Sequence, residues 1–227
     1  MADFNSERKC NCPLVERIHK YFKFLNCSCR SGIPREAILI IGLGNPGEKY
    51  QKTPHNVGQQ AVDALQENWQ KYGFSNWERK TKFKAEISRG EINNQKIFLV
   101  KPFTYMNDSG LPAVILKKYY KIKPENFWVI HDDVDLKIGT MKIIRDRSSG
   151  GHKGVASIIQ NLKTKNIARF KIGICPEDKK PENMREYVLK ALNKKQEKIL
   201  KDIYPKVSES IEVAISESVE KAMNKFN

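Results

Sequence analysis

Long apolar segments are absent from this sequence. No run approaches the roughly 18 consecutive apolar residues that a membrane-spanning helix requires. The first 30 residues also lack the unbroken apolar core of a secretion signal, because Lys20, Lys23 and Asn26 interrupt it. No internal repeat or low-complexity tract is present either. These absences argue against a membrane or secreted protein and predict a cytoplasmic one.

Cysteine is also scarce: the chain of 227 residues has five, and four of them lie within residues 1–36. Their pattern, Cys10-x-Cys12 and then Cys27-x-Cys29, only loosely resembles a zinc site, which normally spaces its paired cysteines by two to four residues. Disulfides are not expected without a secretion signal. A metal knuckle and incidental cysteines in a mobile tail both remain open here. We predict a poorly ordered N-terminal extension over residues 1–36.

Positive charge, in contrast, is in excess. Lys and Arg number 41 against 26 Asp and Glu, which gives a formal net charge of +15. Residues 1–36 hold seven basic and four acidic side chains, so residues 37–227 carry +12. A surplus of this size favours a polyanionic partner, because each phosphate that is neutralised releases counterions. Charge alone also fits a solubility role with no partner.

Residues 37–227 alternate strand-like and helix-like patterns. Ala37–Ile41 is a continuous apolar run closed by glycine, as expected for a strand buried on both faces. Asn56–Lys71 has apolar residues at helical spacing, and the helical tail from Glu182 is expected to break at Pro205. Further strands are predicted at Phe83–Ser88, Lys96–Val100, Phe127–His131, Thr140–Arg145 and Ala168–Ile174, and further helices at Ser109–Tyr120 and Gly154–Leu162. The expected fold is a single α/β domain over residues 37–227, with a mostly parallel mixed sheet, helices on both faces and C-terminal helices.

The glycine-rich loop Gly42–Gly47 matches G-x-G-x-x-G directly after the first predicted strand. A dinucleotide site would also need a helix that begins within this loop and points its amide end at a pyrophosphate. Pro54 disfavours helix at Thr53, so the next helix begins too late for that role. A nucleotide cofactor is therefore disfavoured. The loop instead presents Asn45 close to His55, at the edge of the sheet where ligands bind in α/β folds.

Three more polar clusters adjoin predicted strand ends or helix starts: Lys101–Gly110, His131–Asp135 and Ser148–Gly154. Chain segments that leave parallel strands at one edge converge, so their side chains are expected to share a pocket. Asp132, Asp133 and Asp135 offer oxygen ligands for a divalent cation. No distant carboxylate is clearly paired with this short run, however, and we predict no metal.

These clusters resemble the bacterial-type peptidyl-tRNA hydrolase family. The matching segments, in the family's order and spacing, are Gly42–Gly47, Tyr50–Gly58, Lys101–Gly110, His131–Leu136 and Ser149–Gly154. The resemblance extends over residues 38–227 and leaves only the extension unmatched. It implies a monomeric α/β enzyme, without a cofactor or a stable protein partner, that hydrolyses the ester between a peptide and the terminal ribose of tRNA.

The resemblance also implies roles for individual residues. His55 matches the catalytic base and Asp132 the acid that holds it. Asn45 matches the asparagine that helps to distinguish peptidyl-tRNA from aminoacyl-tRNA. Contacts with the tRNA end or the peptide are implied for Tyr50, Tyr105, Asn107 and Lys153. The implied chemistry is reasonable, because an imidazole backed by a carboxylate can deprotonate a water beside an ester.

Two positions depart from the family. Pro54 stands where the family usually has Arg, and Lys153 where it usually has Asn. Lysine loses the amide's acceptor but adds a positive charge near phosphate, so we expect retained chemistry with altered affinity for the tRNA end. An alternative is a catalytically silent RNA-binding relative, similar to the members of this fold that serve in RNA splicing. The joint presence of His55, Asp132, Asn45 and Asn107 argues against it, because RNA binding alone requires no base–acid pair.

Overall fold

The computed structural model describes residues 36–176 and 182–227. The four cysteines of the predicted extension, and all of its residues except Glu36, lie outside the described residues. The part of the chain that is described forms a seven-stranded sheet in the order β2-β3-β4-β1-β5-β7-β6. The strands are β1 (Ile38–Gly42), β2 (Glu78–Lys80), β3 (Ala85–Ile92), β4 (Gln95–Pro102), β5 (Phe127–Lys137), β6 (Met141–Arg145) and β7 (Ala168–Cys175).

The centre of the sheet is parallel and its two edges are antiparallel. β1 pairs in parallel with β4 and β5, and β5 pairs in parallel with β7. β3 and β4 form an antiparallel hairpin that turns at Asn93 and Asn94, which both adopt positive φ. β2 pairs antiparallel with β3 and forms the edge of the sheet on that side. All five residues of β1 are buried, as its continuous apolar run predicts. The predicted single α/β domain with a mixed sheet is therefore confirmed.

Helices cover both faces of the sheet, also as predicted. They are α1 (Val57–Trp69), α2 (Gly110–Tyr120), α3 (Lys153–Leu162), α4 (Met184–Tyr187), α5 (Lys194–Ser216) and α6 (Val219–Phe226). One apolar core packs α1, α5 and α6 against one face, and a second packs α2 and α3 against the other. Among the described residues, none of the helices combines the length and the apolar character needed to cross a membrane.

Several predicted boundaries are wrong. The strand predicted at Phe83–Ser88 is β3, which begins at Ala85 and continues to Ile92. The tail predicted to be helical from Glu182 is interrupted between α4 and α5.

β5 does not end at His131 but continues to Lys137, because β7 supplies a parallel partner opposite His131, Asp132 and Asp133. The C-terminal helix does not break at Pro205, which lies inside α5. The buried residues that flank Pro205, among them Tyr204 and Val207, pack into the core and outweigh the lost backbone hydrogen bond.

Candidate active site

A cleft of about 380 Å³ opens where β5 meets the loop that follows β1. His55, Asp132, His152 and Lys153 contribute to its walls. Helix α4 and the residue after it, Val188, line the same cleft. Ligands of open α/β sheets bind at this type of edge, as expected from the sequence.

A short 3-10 turn, Pro54–Asn56, holds His55 in place. Proline suits the first position of such a turn, because its φ is already helical and no N–H is needed there. The backbone N–H of His55 donates to the carbonyl of Val188 at 3.0 Å. The dinucleotide arrangement is absent: α1 begins only at Val57, ten residues after Gly47.

Asp132 joins two imidazoles. Its Oδ1 accepts from His55 Nδ1 and from His152 Nε2, each at 2.9 Å. The Nδ1 of His152 accepts in turn from the backbone N–H of Val155 at 3.3 Å, so His152 is the N-cap of α3. This network assigns the Nε2–H tautomer to His152 and the Nδ1–H tautomer to His55. His55, with 13% of its side chain exposed, is left with an Nε2 lone pair that can accept a proton.

The Asp132 side chain is only 2% exposed, yet it stays ionised. Burial alone would raise its pKa, but electrostatic attraction to His152 and His55 and the hydrogen bonds from them outweigh burial and hold the pKa of Asp132 below its usual range. His131 is fully buried, and burial together with the unfavourable electrostatic effect of His152 lowers its pKa well below the usual value. Its Nδ1 donates to the backbone carbonyl of Asp132 at 2.7 Å. The cluster therefore carries one permanent negative charge.

These side chains were also considered as metal ligands. Donor atoms of His55, Asp132 and His152 lie within 4.8 Å of one another. The Val155 N–H, however, occupies the only lone pair of the His152 imidazole, which leaves none for an ion. Asp133 forms an ion pair with Lys171 and accepts from the backbone of Asp135, so Asp132, Asp133 and Asp135 do not converge on a common point. This hydrogen bonding suits a proton-transfer site better than a metal site.

Asn45 lies at the wall of a second, larger cavity of about 690 Å³. Its Oδ1 accepts from the backbone N–H of Met106 at 2.9 Å, which directs its Nδ2 away from Met106 as a donor. The side chain of Asn56 accepts from the backbone N–H of Asn45 and donates to its carbonyl, both at 2.9 Å. Thus Asn56 lines the larger cavity, whereas its neighbour His55 lines the cleft.

The other predicted site residues are spread around these two openings. Lys153 is exposed at the first position of α3 and lines the cleft with His55 and Asp132. Tyr105 is 61% exposed, and Asn107 is exposed in the 3-10 turn that precedes α2. Tyr50 is half-buried, with Lys49 Nζ 4.8 Å from its ring centroid. Tyr50, Tyr105 and Asn107 do not belong to the walls of either of the two cavities described.

Comparisons with known proteins agree with this geometry. Residues 39–227 match the model of the family described as peptidyl-tRNA hydrolase. The chain belongs to the peptidyl-tRNA hydrolase family. It is 45% identical over 193 residues to a peptidyl-tRNA hydrolase of Thermodesulfovibrio yellowstonii, which covers 84% of this chain and 98% of the relative. It is 40% identical over 190 residues to one of Clostridium botulinum, covering 83% of this chain and 95% of the relative.

Solved structures agree with the family assignment. The crystal structure of peptidyl-tRNA hydrolase from Acinetobacter baumannii is 30% identical and has a TM-score of 0.76. The superposition covers 87% of this chain and 97% of that structure. The predicted resemblance is therefore confirmed over almost the whole of the relatives' length.

Sequence reasoning missed three side chains of this candidate site. His152 and His131 were noted only as parts of motifs, and Asn56 only as the residue after His55. The Gly150-Gly151 pair before His152 did signal a turn into a helix. Histidine is not among the preferred N-cap residues, however, so neither its capping bond nor its contact with Asp132 was expected.

Proposed function

We propose that this chain hydrolyses the ester between the peptide and the terminal ribose of peptidyl-tRNA, with His55 as the general base. One observation carries the proposal. Asp132 Oδ1 accepts from His55 Nδ1, which leaves the other imidazole nitrogen as an acceptor in an open cleft. A neutral imidazole with this tautomer is suited to remove a proton from water.

The reaction needs only a water molecule and the substrate. As the water oxygen attacks the ester carbonyl, one water proton passes to His55 Nε2, and the buried Asp132 carboxylate stabilises the imidazolium that forms. The C–O bond to the ribose then breaks, and the ribose oxygen takes the proton from His55. We assign to Asp132 the role of an orienting group. His152, which shares the same carboxylate oxygen, is a positioning residue that does not touch the substrate.

Asn45 is suited to binding the peptide end of the substrate. Met106 occupies its side-chain oxygen and Asn56 fixes its backbone, so its amide donor is held in one orientation without substrate. A preorganised amide donor of this type, aimed at a developing oxyanion, is typically worth about 10²–10³ in rate. We propose Tyr50, Tyr105, Asn107 and Lys153 as contacts for the tRNA end or the peptide.

The decisive experiment is cleavage of an N-blocked aminoacyl-tRNA by the purified chain, followed as release of free tRNA. Activity should disappear in His55→Ala while tRNA binding is retained and the chain stays folded, because the substitution removes the base and leaves Asp132 its bond from His152. Chelation with EDTA should have no effect. Binding without turnover by the wild-type chain would instead support the silent RNA-binding relative. Activity that survives in His55→Ala would refute the assigned base.

The resemblance also supports a monomer that acts in the cytoplasm without a stable protein partner. Sedimentation of the purified chain, alone and with tRNA, tests the first of these points.

A further inference from the structure

A second surface of the molecule combines an exposed tyrosine ring with cations that make no ion pair among the described residues. It is formed by the last turn of α2 and by the 3-10 turn Thr81–Phe83 that follows β2. We call it the basic–aromatic surface and define it by Lys82, Arg89, Lys117, Lys118, Tyr119, Tyr120 and Lys121. Except for the half-buried Lys117 and Tyr120, these side chains are exposed.

The aromatic part of this surface is packed from below. Buried Phe83 meets Tyr119 edge-on, with ring centroids 4.8 Å apart, and Phe98 lies 4.4 Å from Tyr120. Tyr119 and Tyr120 meet at 4.9 Å. Tyr119 nevertheless leaves 57% of its area in solvent. The neighbouring rings therefore hold Tyr119 in a fixed orientation, and its exposed area makes no packing contact within the described residues.

The cations of the surface are not neutralised by neighbouring acids. Across residues 36–176 and 182–227, no carboxylate lies within 4.0 Å of Lys82, Arg89 or the three lysines of the α2 terminus. At its borders, by contrast, Lys80 pairs with Glu78 and Lys123 with Glu36. Lysines at a helix C-terminus stabilise the helix by themselves. Lys82 and Arg89 come from other elements, so this explanation does not cover the whole cluster.

Lys82 connects the charged and aromatic parts. Its ammonium lies 4.4 Å from the Tyr119 ring centroid and 3.3 Å from the Tyr119 hydroxyl. A cation beside an exposed ring matches the two chemical features of a nucleotide, a phosphate and a flat base. An acidic protein surface would use the lysines but would not require the ring.

We propose that the basic–aromatic surface binds RNA, with its lysines on phosphates and Tyr119 stacked on an unpaired base. The proposal rests on the proposed function, because the RNA in question is the body of the tRNA substrate. The surface lies at the C-terminal end of α2, whereas the N-terminal end of α2 adjoins Asn107 and the Met106 contact of Asn45. Eleven helical residues separate these ends by about 16 Å. The contact is therefore made by RNA well beyond the terminal adenosine.

The test compares two triple variants of equal net charge. One is Lys82→Gln, Lys117→Gln, Lys118→Gln, and the control is Lys96→Gln, Lys198→Gln, Lys206→Gln, whose lysines are exposed elsewhere. Binding of deacylated full-length tRNA is measured over a range of salt concentrations. Each lost phosphate contact lowers the slope of log Kd against log salt by about 0.9, so we expect a drop of about 2.7 for the first variant. The control should keep the wild-type slope, and both variants should still unfold cooperatively in a thermal melt, the first at a slightly lower temperature because α2 loses two C-terminal cations.

Tyr119→Leu tests the stacking contact at constant charge. Loss of one base–aromatic stack should weaken tRNA binding by about fivefold or more without changing the salt slope. Equal slopes for the two triple variants would overturn the proposal. So would tRNA binding that is unchanged in the first variant while binding of polyglutamate falls, since that would assign the surface to an acidic protein. Hydrolysis by the wild-type chain is measured separately, so a failed ester assay counts against His55 and an unchanged slope against this surface.

Discussion

The cleft and the larger cavity lie on either side of the Pro54–Asn56 turn, and both contain a cluster of charged side chains. They differ in how charge is compensated. In the cleft, one carboxylate oxygen is shared between His55 and His152. In the larger cavity, one ammonium, Lys101, is shared between Asp63 at 2.7 Å and Glu86 at 3.2 Å. A shared anion and a shared cation thus occupy neighbouring sites.

The difference shows why the cleft, and not the Lys101 cluster, can supply a general base. His55 keeps a lone pair after its bond to Asp132, and an imidazole exchanges protons near neutral pH. Lys101 donates to both of its carboxylates and lies 4.1 Å from the centroid of the Trp77 ring, so it offers no base. A polar cavity therefore becomes an active-site candidate through the free lone pair, not through the number of its charges.

The largest effect is expected for Asp132→Asn. The substitution removes the charge that stabilises a protonated His55, and the new amide can donate to His55 Nδ1 and so reverse its tautomer. We expect kcat/KM for N-blocked aminoacyl-tRNA to fall by about 10³-fold or more. The measurement is initial-rate kinetics at neutral pH, together with a thermal melt of each variant.

Asp133→Asn is the matched control, since Asp133 is the next residue of β5 but pairs with Lys171 instead of an imidazole. Its loss of activity should be at least tenfold smaller. Similar losses in the two variants would show that any charge change in β5 damages the site. They would contradict the claim that the carboxylate shared by His55 and His152 distinguishes the cleft from the larger cavity.

A smaller effect, about 10²-fold, is expected for His152→Leu. Without the His152 donor, Asp132 is free to shift relative to His55, and small misplacements of catalytic groups have effects of this size. The measurement is the split between kcat and KM, because a displaced base should lower kcat and leave KM for the N-blocked aminoacyl-tRNA nearly unchanged.

His152→Gln separates positioning from simple structural damage. The Gln amide can still donate to Asp132 Oδ1 but does not reproduce the bond from Val155 that caps α3. Recovery of most of the wild-type kcat in His152→Gln supports a role through Asp132. Equal loss of kcat in the Leu and Gln variants would leave only the cap.

The pairing of His55 with Asp132 could be predicted from the sequence and its family resemblance, but the surrounding contacts could not. The run Ala37–Ile41 and the polar residues after it correctly placed His55 at a sheet edge, because strand burial and loop convergence follow from local patterns. The family resemblance brought in Asp132. The extension of β5 to Lys137 depends on its pairing with β7, about 40 residues away in sequence, which no local pattern encodes.

The same limit explains the missed histidines and Asn56. The contact of His152 with Asp132 joins a helix N-cap to a strand, and that of Asn56 with Asn45 joins two loops. Both are tertiary contacts that depend on side-chain orientation. Pro205 was misjudged for a related reason: Pro205 itself is exposed, and burial of its neighbours Tyr204 and Val207 outweighed the local rule against proline in a helix.

The smallest effect is expected in the larger cavity, for Lys101→Met. Asp63 and Glu86 lose their shared cation, but 44% and 34% of their side chains are exposed, so solvent screens them and about 1 kcal/mol of stability is at stake. Burial raises the pKa of Asp63 against the pull of Lys101, and removal of Lys101 raises it further. A carboxyl group whose pKa is higher in the folded than in the unfolded chain stabilises the fold when it is protonated, that is, below its ordinary pKa of about 4. That stabilisation is lost as the pH rises through the folded-state pKa. Urea unfolding should therefore show that Lys101→Met has a lower free energy of unfolding than the wild type at about pH 7, and that this difference shrinks at about pH 4.5.

The control is Lys96→Met, at an exposed position of the same strand. Its free energy of unfolding should show no such pH dependence, and hydrolysis should change less than threefold in either variant. A loss in Lys101→Met that approached that of Asp132→Asn would place the Lys101 charge cluster within the catalytic machinery.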